Sequence, residues 1–325
     1  MGKKVIFLTA TILVLMAGLV PLARAETEKK PTTVSTLGKT WAFWPDQLPR
    51  KVQDNWKRLA LIYAETVSTD KDRPLSRSYS SFGTGFITAN AVKTEFFIVT
   101  VSHIYVGNIA SAGQEPAHQD NPALKTNVFL ADKFDGHNLT GIKLELVAAQ
   151  PMPYDFAVFK INLPTIQRET IENPGFPPLT TIEIDWGMIQ RKLPSIYRLL
   201  KSAGSLDLSE PALGMEVHLA GFTLTEEYGI KNSYRRGYID ELYDNHAHRV
   251  QISAGGNEAT HVVKQEFSVV GNALSGMSGS FVVSDEGKLI GLVKSTVGFT
   301  IIFASASKDL RFFLEQINLG FLIKH

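Results

Sequence analysis

From about Tyr79 onward the chain is a succession of short β-branched and aromatic runs, each closed within a few positions by Gly, Asn or Asp. Residues 82–89 (FGTGFITA), 95–101 (EFFIVTV), 126–131 (TNVFLA), 142–149 (IKLELVAA) and 155–162 (DFAVFKIN) make one set. A second set opens near Gly214 with residues 215–222 (MEVHLAGF), 233–242 (SYRRGYIDEL), 249–253 (RVQIS) and 261–270 (HVVKQEFSVV), and closes with residues 280–293 and 299–306 (FTIIFASA). Two groups of about six such runs restrict the chain to a pair of all-β barrels or sandwiches. Between them, residues 164–211 hold a proline-rich half and a helical pattern from Trp186 to Ser202.

The first 25 residues have a different purpose. Lys3 and Lys4 precede an apolar stretch that runs to Val20, and Ala23-Arg24-Ala25 has the small-x-small form of a signal peptidase site. Export is expected, with cleavage before Glu26 and a periplasmic or extracellular mature protein. No later stretch approaches the length needed to span a bilayer. Export exposes a chain to oxidising conditions, yet there are 0 cysteines, so stability must come from a hydrophobic core rather than from disulfides. Losing three basic residues with the signal peptide takes the formal charge from +1 to −2, which excludes an electrostatic footprint for nucleic acid. Residues 26–40 read as a polar leader, and Leu48, Val52, Trp56, Leu59 and Ile62 or Tyr63 have helical spacing, with Asp46 placed to cap it.

Chemistry has three candidate residues. Ser278 stands in Gly276-Met277-Ser278-Gly279, just before Ser280–Ser284 and Lys288–Val293, two short strands joined by Asp285, Glu286 and Gly287 as a hairpin. The flanking glycines permit a sharp turn that aims main-chain N–H groups at a developing oxyanion. His103 ends an apolar strand in IVTVSH, and Asp155 directly precedes another in DFAVFKI. Singly, each has an ordinary structural explanation; together, all three stand at strand ends of a two-part β chain. His246 and His248 offer two metal ligands without a recognisable third or fourth, and no glycine-rich loop has the spacing of a phosphate cradle, so no cofactor or metal is expected.

These residues carry a resemblance to the trypsin/chymotrypsin-like serine peptidases, nearest the bacterial HtrA-like branch. GTGFI (83–87), IVTVSH, DFAVFKI, SGMSGSFVVSDEGKLIGLV and FTIIFASASKDLRFFLEQ each resemble a segment of that family, over roughly residues 76–319 apart from the middle insertion. The resemblance implies two six-stranded antiparallel β-barrels with an N-terminal helical extension (26–75), a first barrel (76–163), a helical insertion (164–211) and a second barrel with a C-terminal helix (212–325). It implies an endopeptidase acting on polypeptides, with His103 as general base, Asp155 as its orienter, Ser278 as nucleophile and the backbone N–H groups of Gly276 and Ser278 as the oxyanion hole. Met277 stands where the family has Asp or Asn, so activation by a newly cut terminal amine is not expected, and Ser280 replaces Gly or Pro. The chain ends soon after its last helix, without the PDZ domain that many HtrA-like proteins carry. A peptide-binding or chaperone-like module and an esterase using the same three residues remain open alternatives. Oligomeric state is not legible.

Overall fold

The computed structural model describes residues 34–36, 39–41, 49–72, 74–75, 79–105, 124–134, 138–150, 154–170, 179–225, 229–251, 258–271, 277–297 and 300–324. The signal peptide and its cleavage site lie outside them.

Two short strands, β1 (Val34–Thr36) and β2 (Lys39–Trp41), precede helix α1 (Arg50–Trp56). The first barrel follows, made of β3 (Leu59–Ser68), β4 (Tyr79–Ala89), β5 (Phe96–Thr100), β6 (Leu124–Phe134), β7 (Leu139–Gln150) and β8 (Phe156–Ile161). Its strands pair in the order β3-β4-β5-β8-β7-β6, and β3 pairs β6 antiparallel to close it. β5 and most of β8 are buried at nearly every position, so these two strands read as continuous apolar runs rather than as an alternation.

Helical spacing through Ile62 and Tyr63 is therefore overturned beyond Trp56. Leu59 and Ile62 share that spacing but lie in β3, flanked by β4 and β6. A short helix is marginal by itself, whereas the strand gains ladder bonds along both edges and closes a barrel. Asp46 lies outside the described residues, and α1 starts after Pro49 with no side-chain cap.

The insertion contributes a separate hairpin, β9 (Thr165–Thr170) with β10 (Leu179–Ile184), and two helices, α2 (Trp186–Lys192) and α3 (Pro194–Ser202), in place of the single helix expected. Pro194 breaks the pattern and occupies the first turn of α3, where its missing N–H costs nothing. Buried Asp132 of β6 accepts from Ser195 N at 2.8 Å and Ile196 N at 2.9 Å, pinning α3 to the first barrel.

The second barrel uses β11 (Glu216–Thr225), β12 (Gly229–Gln251), β13 (Glu258–Val270), β14 (Phe281–Ser284), β15 (Leu289–Val297) and β16 (Ile301–Ala306). The order β12-β11-β14-β15-β16-β13 closes through β12 and β13. Its interior holds Val217, Leu219, Phe267, Val269, Met277, Val282 and Ile302. Phe281, Val283 and Leu292 belong instead to the larger core that the second barrel shares with the first. C-terminal helix α4 (Ser307–Gln316) buries Leu310, Phe313 and Leu314. The architecture is two closed six-stranded antiparallel barrels with added helices, consistent with a trypsin-like fold. Among the described residues no helix is long and apolar enough to cross a membrane.

Candidate active site

β5 and β8 are antiparallel neighbours with Thr100 opposite Ala157, so the residues just past the end of one face those just before the other. That register brings His103, in a helical turn over residues 103–105, to Asp155. Asp155 is fully buried and adopts φ 59°, a left-handed conformation that Asp tolerates better than most residues. There its carbonyl accepts from Ser102 N at 3.2 Å. Its Oδ1 accepts from Ser102 Oγ at 2.7 Å and from His103 N at 2.9 Å, and its Oδ2 lies 2.7 Å from His103 Nδ1. Burial by itself raises the pKa of this carboxyl; the His103 charge and the hydrogen bonds from His103 and Ser102 outweigh it and hold the group below its ordinary value.

A carboxylate only accepts, so Nδ1 of His103 carries the proton and Nε2 keeps the lone pair. The His103 side chain is 38% exposed, so the ring is open to solvent on part of its surface. The arrangement can therefore take a proton from a hydroxyl and hold the resulting imidazolium against a buried negative charge.

Ser278 enters from the second barrel on a tight turn in which Ser280 N donates to Met277 O at 2.8 Å. Met277 is buried in the barrel interior, so an apolar side chain anchors the turn on one flank. On the other flank, Ser278 O accepts from Thr84 N of β4 at 2.9 Å. Gly279 has φ +79°, and a Cβ there would stand 2.0 Å from Thr84 O and 2.4 Å from Thr100 Oγ1, so only glycine fits. A Cβ on Gly83 would meet Ile104 Cδ1 at 2.0 Å and Ser278 O at 3.4 Å. The α-carbon of Gly83 is thus where the serine turn and the residue after His103 both reach β4. The GTGFI segment exists to permit that approach.

Among the described residues, Ser278 N–H has no hydrogen-bond acceptor, and no hydrogen bond joins Ser278 Oγ to the His103 ring. Such contacts commonly tighten only when substrate is bound. Gly276, the other expected oxyanion donor, lies outside the described residues, as does Ser275. Ser280 Oγ is buried with no hydrogen-bond partner among the described residues, packed over Gly221, where a Cβ would stand 1.7 Å from it.

A second histidine-carboxylate pair escaped the sequence reading. His218 of β11, buried within MEVHLAGF, contacts Tyr234 Oη through Nδ1 at 2.7 Å and Asp285 Oδ1 through Nε2 at 2.5 Å. The only signal was an imidazole inside an otherwise apolar strand. His246 and His248 are strand residues of β12, the latter opposite His261, and their side chains lie outside the described residues. Among the described residues no group of three or more metal-ligating side chains converges.

No family model and no curated protein matches the chain. Similar solved structures include two proteases and Deg5. The active form of the Rv3671c protease from M. tuberculosis shares 14% identity over 93% of this chain and 94% of that one, with a TM-score of 0.45. Deg5 shares 16% identity over 83% of this chain and 94% of its own, TM-score 0.43. The HtrA-type protease AlgW, solved with a decapeptide, shares 18% identity over 83% of this chain and 67% of its own, TM-score 0.43.

Proposed function

We propose that this chain is an exported serine endopeptidase that uses Ser278, His103 and Asp155 to cleave peptide bonds through an acyl-enzyme intermediate. The observation that carries the reading is the buried Asp155, which takes three hydrogen bonds from Ser102 and His103 and leaves the second imidazole nitrogen without a partner among the described residues.

A serine hydroxyl is a poor nucleophile near neutral pH until a base accepts its proton. In this mechanism Ser278 Oγ attacks the scissile carbonyl carbon as its proton passes to His103 Nε2. The carbonyl π electrons move onto oxygen, where the N–H groups of Ser278 and Gly276 receive the negative charge; each such donor is worth about 3 kcal/mol of barrier. Collapse breaks the C–N bond, His103 protonates the departing amine, and a water repeats the sequence to release the acid. Asp155 stays ionised throughout and stabilises the imidazolium. The Ser278 N–H, without an acceptor among the described residues, suits the donor role.

The deciding experiment treats the mature protein, starting at Glu26, with a fluorophosphonate probe and maps the adduct. Labelling on Ser278, lost in Ser278→Ala, together with peptide hydrolysis is the expected result. Ester hydrolysis without peptide hydrolysis selects an esterase. A wild-type protein in which no serine reacts leaves a peptide-binding module in its place.

A further inference from the structure

Thr84 is fully buried and commits each of its polar groups to a different part of the molecule. Its N–H donates to Ser278 O at 2.9 Å, in the turn that carries the candidate nucleophile. Its carbonyl accepts from Thr100 Oγ1 at 2.7 Å, at the end of the strand that leads to His103. Its own Oγ1 accepts from Phe222 N at 2.8 Å, in β11 of the second barrel. The carbonyl and its Thr100 partner also form the floor on which Gly279 sits without room for a Cβ. One side chain and one peptide unit thereby tie the Ser278 turn, the base-bearing strand and the opposite barrel to a common point.

From this juxtaposition we propose that Thr84 is a positioning residue, setting the approach of Ser278 to His103 across the junction between the barrels. The inference rests on the serine-hydrolase reading above. Its physical basis is that the two reactive groups come from separate barrels, so their distance is only as well defined as the contacts that lock one barrel to the other. The hydroxyl of Thr84 fixes β11, which neighbours β14, the strand that follows the Ser278 turn. A misplacement on the order of 1 Å between reacting groups costs roughly 100-fold in rate.

Thr84→Val keeps the shape and removes the acceptor, leaving Phe222 N–H buried without a partner. Expected are a fall of about 10- to 100-fold in kcat for peptide hydrolysis and in the rate of fluorophosphonate labelling per folded molecule, with KM within about 2-fold of wild type. Thr84→Ser, which retains the hydroxyl, should restore both rates to within about 3-fold. A role in packing alone would lower Tm and leave the labelling rate of the folded fraction unchanged, and that result overturns the proposal. So does a Thr84→Ser variant as slow as Thr84→Val, because the hydroxyl is then not the agent. Should Thr84→Val fail to fold, Thr100→Val removes the tie on the other side and must slow labelling; an unchanged rate sinks the idea. Wild-type protein that never labels on Ser278 refutes the serine-hydrolase reading, whereas labelling that is indifferent to Thr84 and Thr100 refutes only this inference.

Discussion

Among the described residues two histidine-carboxylate pairs stand out, and they are built inside out relative to one another. In the first barrel the carboxylate is hidden and the ring is open: Asp155 is 0% exposed and His103 38%. In the second the ring is hidden and the carboxylate open: His218 is 3% exposed and Asp285 57%. Both rings touch a carboxylate at hydrogen-bond distance, so contact alone does not separate a reactive pair from a structural one. Access to the second nitrogen does. His103 donates from Nδ1, and its Nε2 has no partner among the described residues, as the proposed base requires. His218 donates from Nε2 to Asp285 and accepts at Nδ1 from Tyr234, whose phenol burial pushes up to about 12, so it stays a donor. No lone pair is left over on His218. Its work is to clasp the β14–β15 turn to the barrel wall.

The widest separation between the pairs should appear in turnover. His103→Ala and Ser278→Ala are each expected to remove on the order of 1,000-fold or more of peptide hydrolysis, and the double mutant should be little worse than either, because the groups act as a unit. Asp155→Asn should lose roughly 10,000-fold by favouring the wrong tautomer. His218→Ala should keep hydrolysis within a few-fold of wild type, and steady-state kinetics on the five variants measures the contrast. If His218→Ala is as dead as His103→Ala while folding is intact, the two pairs have been assigned the wrong way round.

Stability should invert the ranking. His218→Ala leaves Tyr234 and Asp285 without their partner and is expected to cost about 1–3 kcal/mol, read as a lowered midpoint in urea at constant slope. Asp285→Asn, at the solvent-exposed end of the same clasp, should cost less.

Acid should discriminate between the pairs through Asp155. Its pKa is depressed on folding, so its contribution to stability is present above the unfolded value of about 3.9 and is lost as pH falls through the folded value. Wild type should therefore lose stability steeply below about pH 4. Asp155→Asn should show a flatter profile there; superimposable curves would mean that the carboxylate gains nothing from its three donors.

The smallest effect is expected at Ser280. Its buried hydroxyl has no partner among the described residues, so Ser280→Ala should be neutral to slightly stabilising and leave kcat within about 2-fold. A large loss of activity would give Ser280 the nucleophilic work assigned to its neighbour.

Much of this was legible in the chain. Runs of β-branched residues broken by turn formers announced two sets of strands, as barrels or sandwiches, because local chemistry sets where strands stop, and the family resemblance chose barrels. His103, Asp155 and Ser278 are each ordinary alone at the edge of such a run; their joint placement and the family resemblance singled them out, and the structure brings His103 and Asp155 into contact. The helix over residues 48–63 was misread beyond Trp56, since Leu59 and Ile62 satisfy helical spacing and strand packing equally well. His218 was overlooked because its partners, Tyr234 and Asp285, are 16 and 67 residues away.

By itself, then, the sequence determined which chemical groups are present, that most of the chain falls into two sets of short strands, and that the candidate orienter, base and nucleophile lie at strand ends; that a Cβ at position 279 has no room was decided by the tertiary structure. Tertiary structure alone decided which histidine keeps a free nitrogen, that Met277 anchors the serine turn by filling the second barrel, and that Thr84 joins the turn to both barrels. The physical reason is range. Propensity and turn geometry act over a few residues and are written locally, whereas burial and hydrogen-bond partnership depend on strand register and barrel closure, which bring together residues that the linear chain keeps far apart.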